Sequence, residues 1–318
     1  MIPFGIIGVG GYVAPKHLKA IKDTNNILVC ALDIRDSVGI LDSFFPQANF
    51  FTEFERFDRH IDKLARKKEG VKYISICSPN YLHDSHIRFA LKSNAHAICE
   101  KPLVLNPWNI DGLRDLERES GKKVYNILQL RLHPGILSLK QKVQQELQNN
   151  PNKIYDITLT YLVSRGQWYF VSWKGDVTKS GGIATNIGVH FFDMLSFIFG
   201  APKNNIVHIS KPDCASGYLQ LKHAHIRWFL SINHNYIPQD VQAMGKKTYR
   251  SIIVDNEEIE FSEGFENLHT LSYQDILAHK GFGLEDTKEC IQIVHDIRNT
   301  SPIGAVGDYH PFCQKVSQ

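Results

Sequence analysis

Three things are scarce in this 318-residue sequence, and each scarcity removes a class of function. Charge imbalance is the first. The 36 basic and 33 acidic side chains leave a net charge of +3, too small and too dispersed for a nucleic-acid binder, though suited to an anionic small substrate. Long apolar runs are the second: no uninterrupted stretch approaches the roughly 20 residues needed to cross a bilayer, so no membrane role is expected. Patterned cysteine is the third. The six cysteines include no C-x-x-C, and Cys30, Cys77 and Cys99 each end an apolar run. Buried free thiols are expected, not disulfides or metal ligands, and no metal site is anticipated. The opening MIPFGIIGVGG enters a strand directly, without the basic start and small-residue cleavage site of a secretory leader. A cytoplasmic location is the corresponding expectation.

What is present is the pattern of a two-domain α/β protein. Over the first 122 residues, Val/Ile-rich runs (FGIIGVG, ILVCALD, VKYISICSP, AHAICEKP) alternate with amphipathic stretches such as Pro15–Lys22, Asp58–Lys68, Leu82–Ser93 and Pro107–Ser120. Continuous apolar strands separated by helices predict a doubly wound parallel sheet, a Rossmann domain over residues 1–122. From residue 123 to 318 the texture changes to period-2 strands. In KIYDITLTYLV, Ile157, Leu159, Tyr161 and Val163 share one face and Asp156, Thr158 and Thr160 the other. NIVHIS, YLQLKHAHIRWFLSINHNY and YRSIIVDNEEIEFSE continue the pattern, the last with a hairpin at Asp255-Asn256. An open, mostly antiparallel sheet for substrate binding and oligomerisation is predicted, closed by a helix over LEDTKECIQIVHDIRN.

Gly8, Gly10 and Gly11 stand between the first strand and the first helix, where a chain must turn sharply and approach a pyrophosphate closely. The second strand ends at Asp33, at the spacing of the acid that holds the adenosine ribose hydroxyls. A carboxylate there accepts from a 2′-hydroxyl and repels a 2′-phosphate, which favours NAD over NADP. Tyr12 and Val13 continue the turn and Ile34 follows the acid, completing the candidate cofactor contacts of this half. At the ends of later strands come Ser78, Pro79, Asn80 and His83, then Glu100 and Lys101, at the rim where open α/β sheets bind ligands.

Oxidising a secondary alcohol needs a hydride acceptor and a base for the hydroxyl proton. Lys101 on the nucleotide half and His190, beyond the Ser180-Gly181-Gly182 turn, are the candidate catalytic pair. His190 is assigned as general base and Lys101 as the group that polarises the oxygen, with the reverse assignment as alternative. A histidine titrates near neutrality, whereas a lysine must come down about three units, worth roughly 4 kcal/mol. Asn186 and Asp193 lie four and three residues from His190, positions that share a helix face.

The glycine turn, P-N-x-x-H at residues 79–83, Glu100-Lys101-Pro102 and SGGIATNIGVHFFDML, in that order, resemble the Gfo/Idh/MocA oxidoreductase family over essentially the whole chain. Asn186 stands where many members carry Asp. Further stretches, including QLRLHP, YFVSWKGD and KKTYRSIIVDNEEIEFSEGFENLHT, are similar to the WlbA/WbpB-type subgroup, UDP-N-acetylglucosaminuronate 3-dehydrogenases. That resemblance implies oxidation of the 3′-hydroxyl of UDP-N-acetyl-glucosaminuronic acid to a 3-keto sugar, in diacetamido-uronate and O-antigen lipopolysaccharide biosynthesis. It further implies a tightly held NAD, reoxidation by alpha-ketoglutarate in some members, a downstream PLP aminotransferase partner and a homotetramer. Arg131, His133 and Arg165, joined by Lys101, Asn186 and His190, are the candidate substrate contacts, because arginine forks match phosphate and carboxylate. Trp168, Tyr169, Trp173 and Lys174 offer aromatic faces and a further cation. A free-polyol, inositol or aldose dehydrogenase of the same fold and a non-catalytic NAD-binding regulator are the alternatives.

Overall fold

The computed structural model describes residues 1–259 and 264–316. The chain divides into two compact units: Met1–Leu132 with Phe265–Lys288, and His133–Gly264 with Glu289–Gln318.

In the first unit the apolar runs become six parallel strands: β1 (Pro3–Ile7), β2 (Ile27–Leu32), β3 (Asn49–Phe51), β4 (Tyr73–Ile76), β5 (His96–Cys99) and β6 (Val124–Asn126). Their order is β3-β2-β1-β4-β5-β6, reversing direction between β1 and β4 as in dinucleotide-binding sheets. Helices α1 (Ala14–Asp23), α2 (Ile40–Phe44), α3 (Phe54–Arg66), α4 (His83–Lys92) and α5 (Pro107–Ser120) connect them. The expected span of α5 is reproduced to the residue: Pro107 opens the helix and Gly121, at φ +67°, closes it. Strand β6 lies beyond the texture change near residue 123, yet it pairs in register with β5 (Ile98 with Tyr125). The helix Leu268–Leu277 also belongs to this unit and seals its core. Its Tyr273 is fully buried and stacks on Phe4 of β1 with ring centroids 5.9 Å apart.

In the second unit α6 (Pro134–Asn149) precedes a six-stranded sheet of order β12-β11-β7-β10-β9-β8. The strands are β7 (Tyr155–Val163), β8 (Pro202–Ser210), β9 (Cys214–Leu221), β10 (Ala224–Ser231), β11 (Thr248–Val254) and β12 (Glu257–Glu258). Among the described residues, only the central pair, β7 with β10, runs parallel. The turn at Asp255 and Asn256 has φ values of +48° and +69°, the left-handed conformation of a tight hairpin. The part of the expected hairpin that falls on residues 260–263 lies outside the described residues. Gly217 faces Trp228 across β9 and β10, and a Cβ at Gly217 would stand 2.5 Å from the indole. The missing side chain is what lets Trp228 lie flat and fully buried.

The face expected to be open is covered at one end. Thr160 and Leu162 are buried, and His310, Phe312 and Cys313 of the C-terminal segment pack there with Phe229. The helical stretch Val177–Phe199, 23 residues long, is apolar enough by composition to cross a bilayer. However, 78% of its most apolar window is buried inside the protein, as in the core helix of a two-layer unit. In the sequence, Gly181-Gly182 and Asn186 interrupt the apolar run.

Candidate functional site

The glycine turn is set by backbone packing. Gly8 has φ +86°, and a Cβ there would meet the Cys77 carbonyl and Ser78 nitrogen at 2.6–2.7 Å. No side chain fits, because the turn lies against the end of β4. Gly10 faces Asp33: its N–H donates to Asp33 Oδ2 at 2.9 Å, and a Cβ there would stand 3.1 Å from that oxygen. Asp33 Oδ1 accepts Arg35 N–H at 3.0 Å. The carboxylate is thus fixed at the end of β2 with lone pairs to spare for ribose hydroxyls. Tyr12 and Ile34 flank the turn and are 88% and 85% exposed, apolar surface of the kind an adenine ring covers. Val13 caps α1 and is partly buried, and Gly11 N–H closes the turn on the Gly8 carbonyl. A cradle that admits no Cβ, with an oriented carboxylate beside it, fits a dinucleotide.

At the ends of β4 and β5 the remaining candidates converge within the same unit. Ser78 is buried and its hydroxyl lies 2.8 Å from His86 Nδ1; burial brings the His86 pKa down to about 4. Pro79 and the buried Asn80 form the turn into α4. His83 is buried, with Nδ1 2.7 Å from the Pro102 carbonyl and Nε2 2.8 Å from the Ser78 carbonyl. Burial lowers its pKa, against the pull of those two carbonyls. The ring therefore braces the Lys101-Pro102 turn. Lys101 follows β5 and is partly buried.

Glu100 is buried beneath this turn and bonded to His17 and His269, which sequence reading did not single out. One signal was available for His17: Ala14, His17, Leu18 and Ile21 fall on one helix face, so the histidine occupies a core position. The donor atoms of Glu100, His17 and His269 lie within 4.8 Å of one another.

Arg131 is also in the first unit and points into it. Its guanidinium meets Asp286 Oδ1 at 3.2 Å and the Asp286 carbonyl at 2.5 Å, and stacks on Phe282 at 5.1 Å. His133 is buried and serves as the N-cap of α6, accepting Gly135 N–H at 3.1 Å. These two side chains do structural work in their own units.

In the second unit a different face assembles. From Ile183 to Ser196 every residue is buried except Asn186 and His190, the two singled out for chemistry. They lie where the helix widens into a π turn, Ala184–Gly188, before Val189–Phe199, a distortion common at functional sites. Asn186 Nδ2 donates to the buried Tyr169 hydroxyl at 2.7 Å. The His190 ring packs on Phe191 at 4.3 Å and edge-on to Tyr161 of β7 at 6.0 Å. Arg250, opposite Tyr161 in the β7–β11 register, lies over the Tyr161 and Phe191 rings at 5.7 and 5.9 Å. It adds a cation beside the aromatic neighbours of His190 that sequence reading overlooked. Asp193 is buried. Arg165 is exposed after β7, and Lys174 lies 5.2 and 5.6 Å from the Trp168 and Trp173 rings. Burial and then Arg165 lower the Lys174 pKa.

A dehydrogenase of Thermus thermophilus, WlbA (WbpB), solved in complex with NAD and UDP-GlcNAcA, is 48% identical. It superposes with a TM-score of 0.93 over 98% of this chain and 100% of that one. The same dehydrogenase solved with NAD and alpha-ketoglutarate gives 0.94 over the same shares. Among curated relatives, the D-glucoside 3-dehydrogenase of Escherichia coli (strain K12) is 28% identical over 41% of this chain and 36% of its own length. The glucose-6-phosphate 3-dehydrogenase of Bacillus subtilis (strain 168) is 24% identical over 63% of this chain and 54% of its own. The chain thus spans about a third to a half of the length of these two. The NAD-binding Rossmann fold of the Gfo/Idh/MocA oxidoreductases matches residues 2–127, and their C-terminal alpha/beta domain matches residues 152–242. With both of its characteristic domains present in order, the chain belongs to the Gfo/Idh/MocA oxidoreductase family.

Proposed function

We propose that this protein is an NAD-dependent dehydrogenase that oxidises the 3′-hydroxyl of UDP-N-acetyl-glucosaminuronic acid to the 3-keto sugar. The observation that carries the reading is the full-length match, at 48% identity, to a dehydrogenase solved with NAD and UDP-GlcNAcA. NAD, when bound, supplies the hydride acceptor. The Gly10 turn and Asp33 orient it through the pyrophosphate and ribose. His190 accepts the proton of the substrate hydroxyl, and Lys101 donates a hydrogen bond to the same oxygen as charge develops there. Asn186, held by Tyr169, presents its amide oxygen to sugar hydroxyls. Arg165 and Arg250 supply positive charge for a diphosphate and a carboxylate. Arg131, engaged with Asp286, is not assigned such a contact in this scheme.

The reading extends to reoxidation of NAD by alpha-ketoglutarate, supported by the neighbour complex that holds it. It also extends to a homotetramer in the cytoplasm and to a PLP aminotransferase that consumes the 3-keto product on the way to O-antigen. Six buried free thiols suit a reducing compartment. The test is incubation of the purified protein with UDP-N-acetyl-glucosaminuronic acid, NAD and alpha-ketoglutarate. A 3-keto sugar nucleotide is expected, with turnover lost in Lys101→Ala and in His190→Asn while NAD still binds. Oxidation of free inositol or aldose alone would replace the substrate assignment.

A further inference from the structure

The carboxylate one residue before Lys101 is 5% exposed and faces inward. Glu100 Oε1 lies 3.0 Å from His17 Nε2 and 2.9 Å from His269 Nε2, and Oε2 accepts Lys101 N–H at 3.2 Å. Beyond His17 the network continues. Nδ1 lies 2.7 Å from the Tyr273 hydroxyl, which lies 2.6 Å from Ser75 Oγ. His17, Tyr273 and Ser75 are fully buried.

The polarity of this network follows from its centre. An ionised carboxylate has no proton to give, so both histidines donate from Nε2. Burial lowers the His17 pKa, with Glu100 opposing, so the ring is neutral and its Nδ1 accepts from Tyr273. Tyr273 in turn accepts from Ser75. The hydrogen bonds therefore run one way, toward Glu100. Burial pulls the Glu100 pKa up, but the His17 and His269 donors outweigh it and hold the group well below the usual carboxylate range.

We infer that His17 and His269 are positioning residues, which fix the main chain at Lys101 by holding the Glu100 carboxylate. The inference rests on the reading of Lys101 as the residue that binds the reacting oxygen. If either histidine is lost, Oε1 keeps one donor in a buried position, and the carboxylate must turn or take up a proton. Either change releases the Lys101 amide. His83, bonded to the Pro102 carbonyl, holds the far side of the same turn. The lysine is thereby tied to α1, which follows the glycine turn, and to the helix Leu268–Leu277. An error of about 1 Å in such a group costs on the order of 100-fold in rate.

The test compares His17→Leu and His269→Leu with His17→Gln and His269→Gln in the NAD-loaded full chain. Glutamine carries a donor near the position of Nε2 and leucine does not. In the leucine variants the Lys101 amide is expected to exchange with solvent about tenfold faster, the loss of roughly one hydrogen bond. Their kcat is expected to fall about 10- to 100-fold, with KM for NAD little changed. Glutamine should restore both. Glu100→Gln, which cannot accept from both rings at one oxygen and oxygen-bind the amide as well, should also speed Lys101 exchange, and it serves if a leucine variant does not fold. Unchanged exchange, or a loss that glutamine fails to rescue, would overturn the inference. So would a stoichiometric bound metal found by elemental analysis, since the three donors would then be ligands. Retained turnover in Lys101→Ala would sink the reading of the lysine while leaving the exchange result to stand alone.

Discussion

Asp33 is held by two backbone amides, at Gly10 and Arg35. In the proposed role, a carboxylate preset in this way discriminates by charge, accepting from a ribose hydroxyl and repelling a phosphate. Asp33→Ala is therefore expected to weaken NAD about tenfold or more, by removing charged hydrogen bonds worth roughly 1.5–3 kcal/mol, and to narrow the preference over NADP. Titration with both nucleotides checks it, and unchanged affinity for both would displace the ribose assignment. The place of Asp33 beside the glycine turn was legible in the sequence because its distance from the glycines is fixed by one strand–helix–strand unit. His17 was harder to see. A histidine at a core position reads as a packed side chain until its buried partner is known, and that partner, Glu100, is 83 residues away. Arg131 shows the converse. An arginine beside a histidine looks like an anion site, but the acid that engages it, Asp286, lies 155 residues on.

Among the elements, helices with clear ends were read best. Pro107 and Gly121 bound α5, and the Asp255-Asn256 turn marks its hairpin, because each signal acts on its own backbone. The cover on the second sheet was not legible, since nothing local says which face the C-terminal segment takes. That segment carries a titrating group. His310 is buried with Nε2 2.9 Å from Thr160 Oγ1, and its Nδ1 accepts Phe312 N–H at 3.1 Å. Burial, then the charge of Arg227, pushes its pKa down to about 3. A histidine with a depressed folded pKa contributes stability that is complete above its ordinary value of 6.5. The contribution falls as pH drops from there toward 3, because the unfolded chain takes up the proton first. The urea midpoint should therefore drop between pH 7 and pH 5.5 by an amount worth roughly 1 kcal/mol from this group. His310→Gln should show a shallower slope, and an identical slope would remove His310 as its source.

For the molecule as a whole, six thiols and no disulfide make a simple probe of integrity. Burial raises Cys30 and Cys214 to about 12, so neither presents a thiolate at neutral pH. A disulfide exchange reagent should label roughly none of the thiols within minutes in the native protein and all six in denaturant. One fast native equivalent would show that a cysteine is open to solvent. The two-part organisation was legible from the change in strand texture, but the return of Phe265–Lys288 to the first unit was not. A helix of ordinary composition carries no mark of the sheet it will cover.

That return sets an order of events. Residues leave a ribosome at about 5–20 per second, so the stretch from His133 to Gly264 separates the sixth parallel strand from its covering helix by roughly 7 to 26 s. Throughout that interval the space Tyr273 will fill beside Phe4 has no occupant, and Glu100 waits for the second of its two histidines. The nucleotide-binding half, first to be synthesised, is thus among the last to be complete. A chaperone that shields the exposed back of that sheet has a physical reason to stay until the second half has been made.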